Sequence, residues 1–528
     1  MTSAGAEPVG SGPPDGVGPE QIGTTTDPEP VGRRWALPVL AVAGVVTTLA
    51  LPPWGWWFLA PLGLAVLYLL TGEVRRWQAR YLRAWVFAAA GYVLGLVWMA
   101  EVTLPGYLVS VPILAALVAA PLSLVPPCGP LRPAAFPAAW VVAESLRAVV
   151  PFGGVPMSDL ALGQVDAPWA DAARLSGVLA VVGLTALVAV TGVEVARRRW
   201  IAAGVGAAVL VAVSVLGTAA PDGRPTSQVM AAAVQGGGEL GTRAADSDSD
   251  VVWSRHVEAT MDLGPEVELV VWPETVDDVA RPVETSQRVA ELAGLAAELD
   301  AVMVVGFNEL EPGIRRNVVV AVAPDGEVTG RYDKVHLVPF GEYVPLRWLV
   351  EPFADLSLIG TEITPGSGPN VLETPLGVLT APVSFEIYFS DRSREGVEAG
   401  ASLIVNPTLA SSYRTTLVPE QTLAAGRLRA IETGRWVVQS STTGYSSIID
   451  QRGHVLERTG LREQASVAAP VELRSGRTWA VQLGRLPITM LAVAILAAAT
   501  VDDLRRRRRA GPTDARAGSP SAAVSTPA

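Results

Sequence analysis

Three strand ends in the second half of this sequence converge on groups that can move protons or attack a carbonyl. Val271-Trp-Pro-Glu-Thr275 closes one run on Glu274, and Thr380-Ala-Pro-Val-Ser-Phe-Glu-Ile387 closes another on Ser384, with Glu386 two residues later. Between them, Arg331-Tyr-Asp-Lys-Val-His-Leu-Val-Pro-Phe-Gly-Glu-Tyr-Val-Pro345 gathers Lys334, His336 and Glu342. Lys334 is the only lysine, every other one of the 40 basic residues being Arg. Lysine and arginine are not interchangeable where a compact charge must aim at a single atom. A carboxylate that takes a proton from a hydroxyl, and an ammonium that stabilises an oxyanion, are the parts of covalent acyl transfer. A strand running into Ser and then a helix-like segment has the form of a nucleophile turn. Each residue also has a plainer reading. Lys334 fits a solvated loop, Glu274 a helix N-terminal acid beside Thr275, Ser384 an ordinary turn, and Glu386 a surface carboxylate. His336 reads as a structural hydrogen-bonder rather than a base.

The elements that must hold these residues divide sharply by composition. The chain has 528 residues, half of them hydrophobic, with a net charge of −11 and a mean hydropathy of +0.35. That is too apolar for a soluble protein of this size and too polar in its middle for a membrane bundle alone. The acidic balance argues against a nucleic-acid partner. One cysteine, Cys128, and three scattered histidines exclude an internal disulfide and a cysteine cluster, and argue against any metal centre. No cofactor is expected.

Residues 1–32 carry almost no large apolar side chains and are expected to be disordered. Stretches near bilayer length follow at 35–52, 56–71, 83–102, 106–126, 134–150, 175–196 and 200–219, with an eighth at 479–500. The fifth holds Glu144 and Arg147, spaced to pair on one helix face. Trp54, Trp56 and Trp57 read as an interfacial belt. Arg clusters at 33–34, 75–83, 132, 197–199 and 505–509 all fall on one side if seven spans precede the polar region. The organisation expected is therefore a seven-span domain (33–222), an extracytoplasmic domain (226–475), a final span (479–500) and a basic, disordered tail (501–528). Both termini are then cytoplasmic, in a bacterial cell membrane. Within 226–475, strands are expected at 229–234, 267–271, 301–307, 318–322, 378–383, 403–405 and 436–440, and helices at 279–299 and 419–433. Pro324-Asp-Gly326 and Gln451-Arg-Gly453 mark hairpin turns, and the alternation indicates an α/β fold. Long loops at 236–250 and 356–369 are candidate lids.

The Glu274, Lys334 and Ser384 segments resemble the Glu–Lys–Cys site of the nitrilase (carbon–nitrogen hydrolase) superfamily. With the spans, the 336–345 string, Phe152-Gly-Gly-Val-Pro156, Asn406-Pro-Thr408 and the 427–435 segment, most of the chain is similar to apolipoprotein N-acyltransferases. The resemblance implies an αββα sandwich fused to a bundle of about eight transmembrane helices. It also implies acyl transfer from a phospholipid donor to the amine of a diacylglyceryl apolipoprotein acceptor, through an acyl-enzyme. By matching position, Glu274 is the general base, Lys334 the oxyanion donor and Ser384 the nucleophile. Glu342 and Glu386 support the site, and Phe385 stands where the family commonly has Tyr or Trp. The departure is Ser384 in place of Cys, because a hydroxyl needs its base during attack where a thiol ionises readily. Four readings stay open: transfer by Ser384; slower transfer or another acceptor; a non-catalytic membrane scaffold or lipid binder; and a membrane-tethered amidohydrolase.

Overall fold

The computed structural model describes residues 35–238, 248–351, 361–409 and 417–509. Residues 1–32 and 510–528 of the expected tails, 239–247 of the 236–250 loop and 356–360 of the 356–369 loop lie outside the described residues; residues 501–509, expected to belong to the disordered tail, instead continue the last helix. Helices occupy all eight expected positions: α1 (Ala36–Thr48), α2 (Leu59–Thr71), α3 (Trp77–Gly95), α4 (Leu104–Ser123), α5 (Arg132–Arg147), α6 (Val178–Ala196), α7 (Trp200–Ala219) and, after the polar domain, a last long helix, Leu486–Arg509. Among the described residues four of these, α4, α6, α7 and the last, are long and apolar enough to cross a membrane, and α1 and α2 are shorter apolar helices. The expectation of about eight full-length spans is corrected to that extent. The bounds of α3 shift toward its N-terminus, so that Arg80 joins the helix and Arg83, expected as its first residue, lies within it.

Polar groups inside the bundle are paired, as the cost of burying them requires. Arg147 bonds Glu144 at 2.6 Å, with both side chains buried. The Arg132 guanidinium lies 3.7 Å over the Tyr68 ring, and Tyr68 donates to Glu194 at 3.0 Å. The last helix starts later than expected. Gly484, at φ 63°, breaks the chain, and Trp479–Leu483 forms a separate short helix.

Two sheets build the α/β domain. The first takes in β1 (Arg224–Gln235), β2 (Leu269–Val271), β3 (Asp277–Ala280), β4 (Val302–Glu311), β5 (Ile314–Val322) and β6 (Val328–Asp333). β7 (Leu372–Thr374) and β8 (Gly377–Leu379) form a hairpin. The second sheet runs through β9 (Ile404–Thr408), β10 (Val437–Ser441), β11 (Ser447–Ile449) and β12 (Val455–Arg458), and β13 (Ala465–Ser475) returns to pair with β1. β1, β2 and β4 are parallel neighbours, and their apolar runs are buried on both faces, as parallel strands demand. Ala231, Val271, Val304 and Val319 face the second sheet's Val405, Val438 and Ile448. Their alternates Ala232, Val270 and Val305 face α8 (Ser249–Met261) and α9 (Gln287–Leu299). On the far side of the second sheet lie α10 (Ser390–Glu398) and α11 (Leu417–Thr433), giving the αββα layering. The helix that closes the chain is α12 (Leu486–Arg509).

Two expectations fail locally. The helix expected from 279 begins only at Gln287, where the Ser286 side chain caps it; the preceding residues form β3 and a short 3-10 turn after Pro282. A proline without an N–H cannot continue helix hydrogen bonding. The strand expected over 378–383 stops at Leu379, and the chain then runs extended into the Ser384 turn.

Candidate active site

Glu274 follows β2 at the mouth of the first sheet. Trp272, fully buried, anchors the segment by donating to Thr260 at 2.9 Å. Gly306 of β4 passes directly beneath, so close that a Cβ there would sit 2.7 Å from the Pro273 carbonyl and 2.8 Å from the Glu274 Cα. Glu274 is therefore 3% exposed, and its Oε1 accepts from Asn317 at 2.7 Å and from Lys334 at 2.7 Å.

Lys334 is the first residue past β6 and is 1% exposed. Its backbone N–H donates to the Asn317 carbonyl at 2.9 Å, continuing the sheet pairing just long enough to aim the side chain inward. The ammonium also reaches Glu342 Oε1 at 2.6 Å, while Glu342 Oε2 accepts from Val338 at 2.8 Å and folds the loop back over the site. Burial by itself would depress the Lys334 ammonium. The Glu274 and Glu342 carboxylates outweigh it and hold Lys334 above its ordinary value. Burial, with the like charge of Glu274 and against the pull of Lys334, pushes the Glu342 carboxyl up.

Ser384 sits at φ 50° and opens a 3-10 turn, Ser384–Tyr388. A positive φ on a non-glycine residue is strained and points to a functional constraint. Its hydroxyl accepts from Thr408 at 3.4 Å, and Asn406 donates to the Pro382 carbonyl at 2.6 Å, so β9 supports the turn from behind. Glu386, fully buried, ties this turn to the lysine loop. It accepts from Tyr332 at 2.9 and 3.0 Å, from the backbone of Val335, His336 and Val383 at 2.9 Å each, and faces Arg392 at 3.7 Å. The surface-carboxylate reading of Glu386 is thereby excluded. Phe385 is buried, edge-on to Phe389 at 5.1 Å.

Glu274, Lys334 and Glu342 thus meet directly. Among the described residues no hydrogen bond joins Ser384 to any of them; Glu386 couples the turn to Val335, next to Lys334. His336 departs from expectation. Its ring packs on Phe389 at 4.3 Å, and its Nδ1 is buried without a hydrogen-bond partner. Among the described residues only its backbone N–H forms a hydrogen bond, to Glu386. Asn317 and Arg392 were not singled out from the sequence, and Tyr332 and Thr408 stood there only within longer motifs, with no role of their own. Asn317 had a readable signal, since it shares a strand face with Val319 and Ala321, which line the interior between the sheets. Cys128 is exposed ahead of α5. That helix, roughly 24 Å long, separates it from Arg147, which binds the carbonyls of Val155 and Met157 at 3.0 and 2.7 Å.

The bundle contributes to the rim. Tyr343 donates to the Phe152 carbonyl at 3.2 Å, and Phe152 packs against Phe340 at 5.9 Å. A cavity of about 330 Å³ lies between this rim and the site, with Gly153, Gly154, Val335, His336 and Phe385 among its walls.

Residues 230–481 match the carbon–nitrogen hydrolase family, and residues 43–192 match the apolipoprotein N-acyltransferase N-terminal domain. An apolipoprotein N-acyltransferase of Azotobacter vinelandii is 30% identical over 522 residues, covering 90% of this chain and 97% of that protein. The chain belongs to the apolipoprotein N-acyltransferase family. Another member, from Ralstonia nicotianae, is 28% identical, with 91% of this chain and 96% of that protein covered. The match to the Geobacter metallireducens member is 36% identical but covers 40% of this chain and 41% of that protein's length. A solved nitrilase-superfamily structure, Saccharomyces cerevisiae Nit3, aligns with 47% of this chain and 91% of its own at 20% identity and a TM-score of 0.38.

Proposed function

We propose that this protein transfers a fatty acyl chain from a membrane phospholipid to the N-terminal amine of a diacylglyceryl-cysteine lipoprotein. The observation that carries the reading is the buried Glu274–Lys334–Glu342 cluster, coupled through Glu386 to the strained Ser384 turn. In this reading Ser384 Oγ attacks the ester carbonyl of the phospholipid as Glu274 takes its proton. The Lys334 ammonium stabilises the tetrahedral oxyanion. The C–O bond to the lysophospholipid breaks, and its oxygen receives the proton from Glu274. The lipoprotein amine then attacks the acyl-serine, loses a proton to Glu274 and becomes an amide, and Ser384 Oγ is reprotonated. Glu342 positions Lys334, and Phe385 packs beneath the turn.

The same proposal has all eight helices lying in a bacterial cell membrane, with the α/β domain (226–475) outside and both termini inside. The arrangement of Arg clusters supports that orientation. A site at the membrane surface holds donor and acceptor, both bilayer-bound, close to the reacting groups.

Intact mass spectrometry after incubation with phospholipid tests the reading. A fatty-acyl adduct mapping to Ser384, discharged onto a diacylated lipopeptide, is the expected result. Ser384→Ala abolishes the adduct, and Ser384→Cys raises the rate, because a thiol ionises where a hydroxyl does not. A folded sample that gives neither adduct nor triacylated peptide would sink it. One observation favours a second, non-catalytic lipid-binding reading: the Ser384 hydroxyl bonds Thr408 and not Glu274. Retained lipid with no adduct would support that alternative.

A further inference from the structure

An apolar groove lies at the end of the bundle away from the α/β domain, apart from the chemistry proposed for Ser384. A groove of about 690 Å³ runs between α3, α4, α5 and α12. Trp77, Tyr81, Leu124, Val142, Leu496 and Thr500 are among its walls, which are apolar nearly throughout. Thr500 donates to the Leu124 carbonyl at 3.2 Å and knits α12 to the end of α4. From Val493 to Val501 the groove follows α12 for about 12 Å, against roughly 15 Å for the hydrocarbon of one leaflet.

Its mouth is strongly basic. Five consecutive arginines, Arg505 to Arg509, begin about 7.5 Å beyond Thr500 along the same helix. Arg507 reaches the Arg75 carbonyl at 3.3 Å, bringing the Arg75–Arg76 segment to the same rim. Asp502 and Asp503 pair with Arg506 and Arg507 at 2.6 and 2.8 Å. Arg505, Arg508 and Arg509 are exposed, and no ion pair is formed by them among the described residues. The α12 dipole welcomes cations in its last turn, but five of them exceed what a helix end requires. An exposed Trp77, at 56%, stands where the apolar walls give way to the charged rim.

We propose that this groove is a binding site for an anionic phospholipid of the leaflet away from the α/β domain. An acyl chain lies along α12, and the phosphate sits on Arg505, Arg508 and Arg509. Charge complementarity selects the head group, and the groove selects a molecule with a long apolar chain, which free phosphate lacks.

The test uses the full-length protein, stripped of lipid in detergent and titrated with phosphatidylglycerol or phosphatidylcholine, with bound lipid read by native mass spectrometry. Phosphatidylglycerol is expected to be retained at least about tenfold better, each arginine near the surface contributing attraction to an anionic head group. Replacing Arg505, Arg508 and Arg509 by Gln removes that preference. Ala497→Trp, which fills the groove and leaves every charge in place, lowers retention of both lipids. A thermal melt of each variant in detergent without lipid verifies folding. Equal retention of the two lipids by the wild type, a preference that survives both substitutions, or competition by inorganic phosphate as effective as the lipid's would overturn the proposal. Acyl transfer plays no part in the readout, so an inactive Ser384 leaves it unaffected.

Discussion

Lys334 illustrates how one side chain is fixed by its neighbours. Its ammonium bridges Glu274 and Glu342 at 2.7 and 2.6 Å in a nearly dry pocket. Lys334→Ala leaves two carboxylates facing each other, at a cost of roughly 3–5 kcal/mol, and abolishes transfer. Lys334→Arg keeps the charge but presents a larger planar group, and it too is expected to produce no triacylated lipopeptide by mass spectrometry. Substantial product from the arginine protein would remove Lys334 from the oxyanion role. His256 supplies a pH handle elsewhere. Burial pushes its imidazolium from the ordinary 6.5 down to about 4, against a supporting bond to the Val252 carbonyl. The folded value is below the unfolded one, so the unfolded chain binds the proton first. This stabilisation is complete above pH 6.5 and lost as pH falls toward 4, amounting to roughly 3 kcal/mol. Melting of the wild type should fall across that window more steeply than melting of His256→Gln; parallel curves would refute the assignment.

At the scale of elements, the site depends on close backbone contact. Gly306 lets β4 run under the Glu274 turn without room for a methyl group. Gly306→Ala forces the backbone at Pro273 and Glu274 to move, costing about 1–3 kcal/mol of stability. A shift near 1 Å in Glu274, the base of the proposed mechanism, costs about a hundredfold in rate, so kcat should fall far more than the melting temperature does. Full activity in this variant would show that the Glu274 segment is compliant. The strand end carrying Glu274 was legible because β2 is a continuous apolar run broken abruptly by charge, whereas Lys334, which follows the polar β6, was legible only through the dense polar and aromatic cluster around it. The turn at Ser384 was legible as a turn, but not the early end of β8, because the apolar composition of 380–383 is compatible with strand or extended coil. Glu386 was legible as a position but not as a hub. Its five hydrogen bonds come from Tyr332, Val335, His336 and Val383, up to 54 residues away in sequence, and such convergence leaves no local pattern. The 279–299 helix was misread in its first half because β3 is exposed on alternate residues, a pattern too short to outweigh the strong helix signal after it.

At the scale of the molecule, the bundle and the α/β domain share one core. Arg147 and Glu144 pair inside the bundle while Arg147 also holds the segment that leads from Phe152 and Gly153 at the rim of the cavity. Arg147→Met strands the Glu144 carboxylate and is expected to destabilise the protein by roughly 3–5 kcal/mol, and adding Glu144→Gln recovers much of the loss. Melting in detergent decides this: equal loss in the single and double variants would mean that the pair carries no coupling. The eight helical positions were visible as hydropathy. Which of them reach full span length was not, because Arg80, Arg83, Glu144 and Arg147 enter helices whose burial satisfies them.

Helix α11 lies between these two halves. Every residue of it except Glu420 and Arg427 is buried, with Ile431 and Leu428 in the same cluster as Ile449 of the second sheet and Leu160 and Ala173 of the bundle. Gln421 reaches across to the Ser158 backbone at 2.9 Å, and Arg427 to Asp166 at 2.6 Å. Trimming the gene to residues 226–475 would leave this helix with an oily flank and no partner to cover it. A water-soluble fragment for inhibitor screening is therefore not to be had by truncation: the outward flank of α11 must first be redesigned with polar residues, or the assay must keep the lipid-embedded half attached.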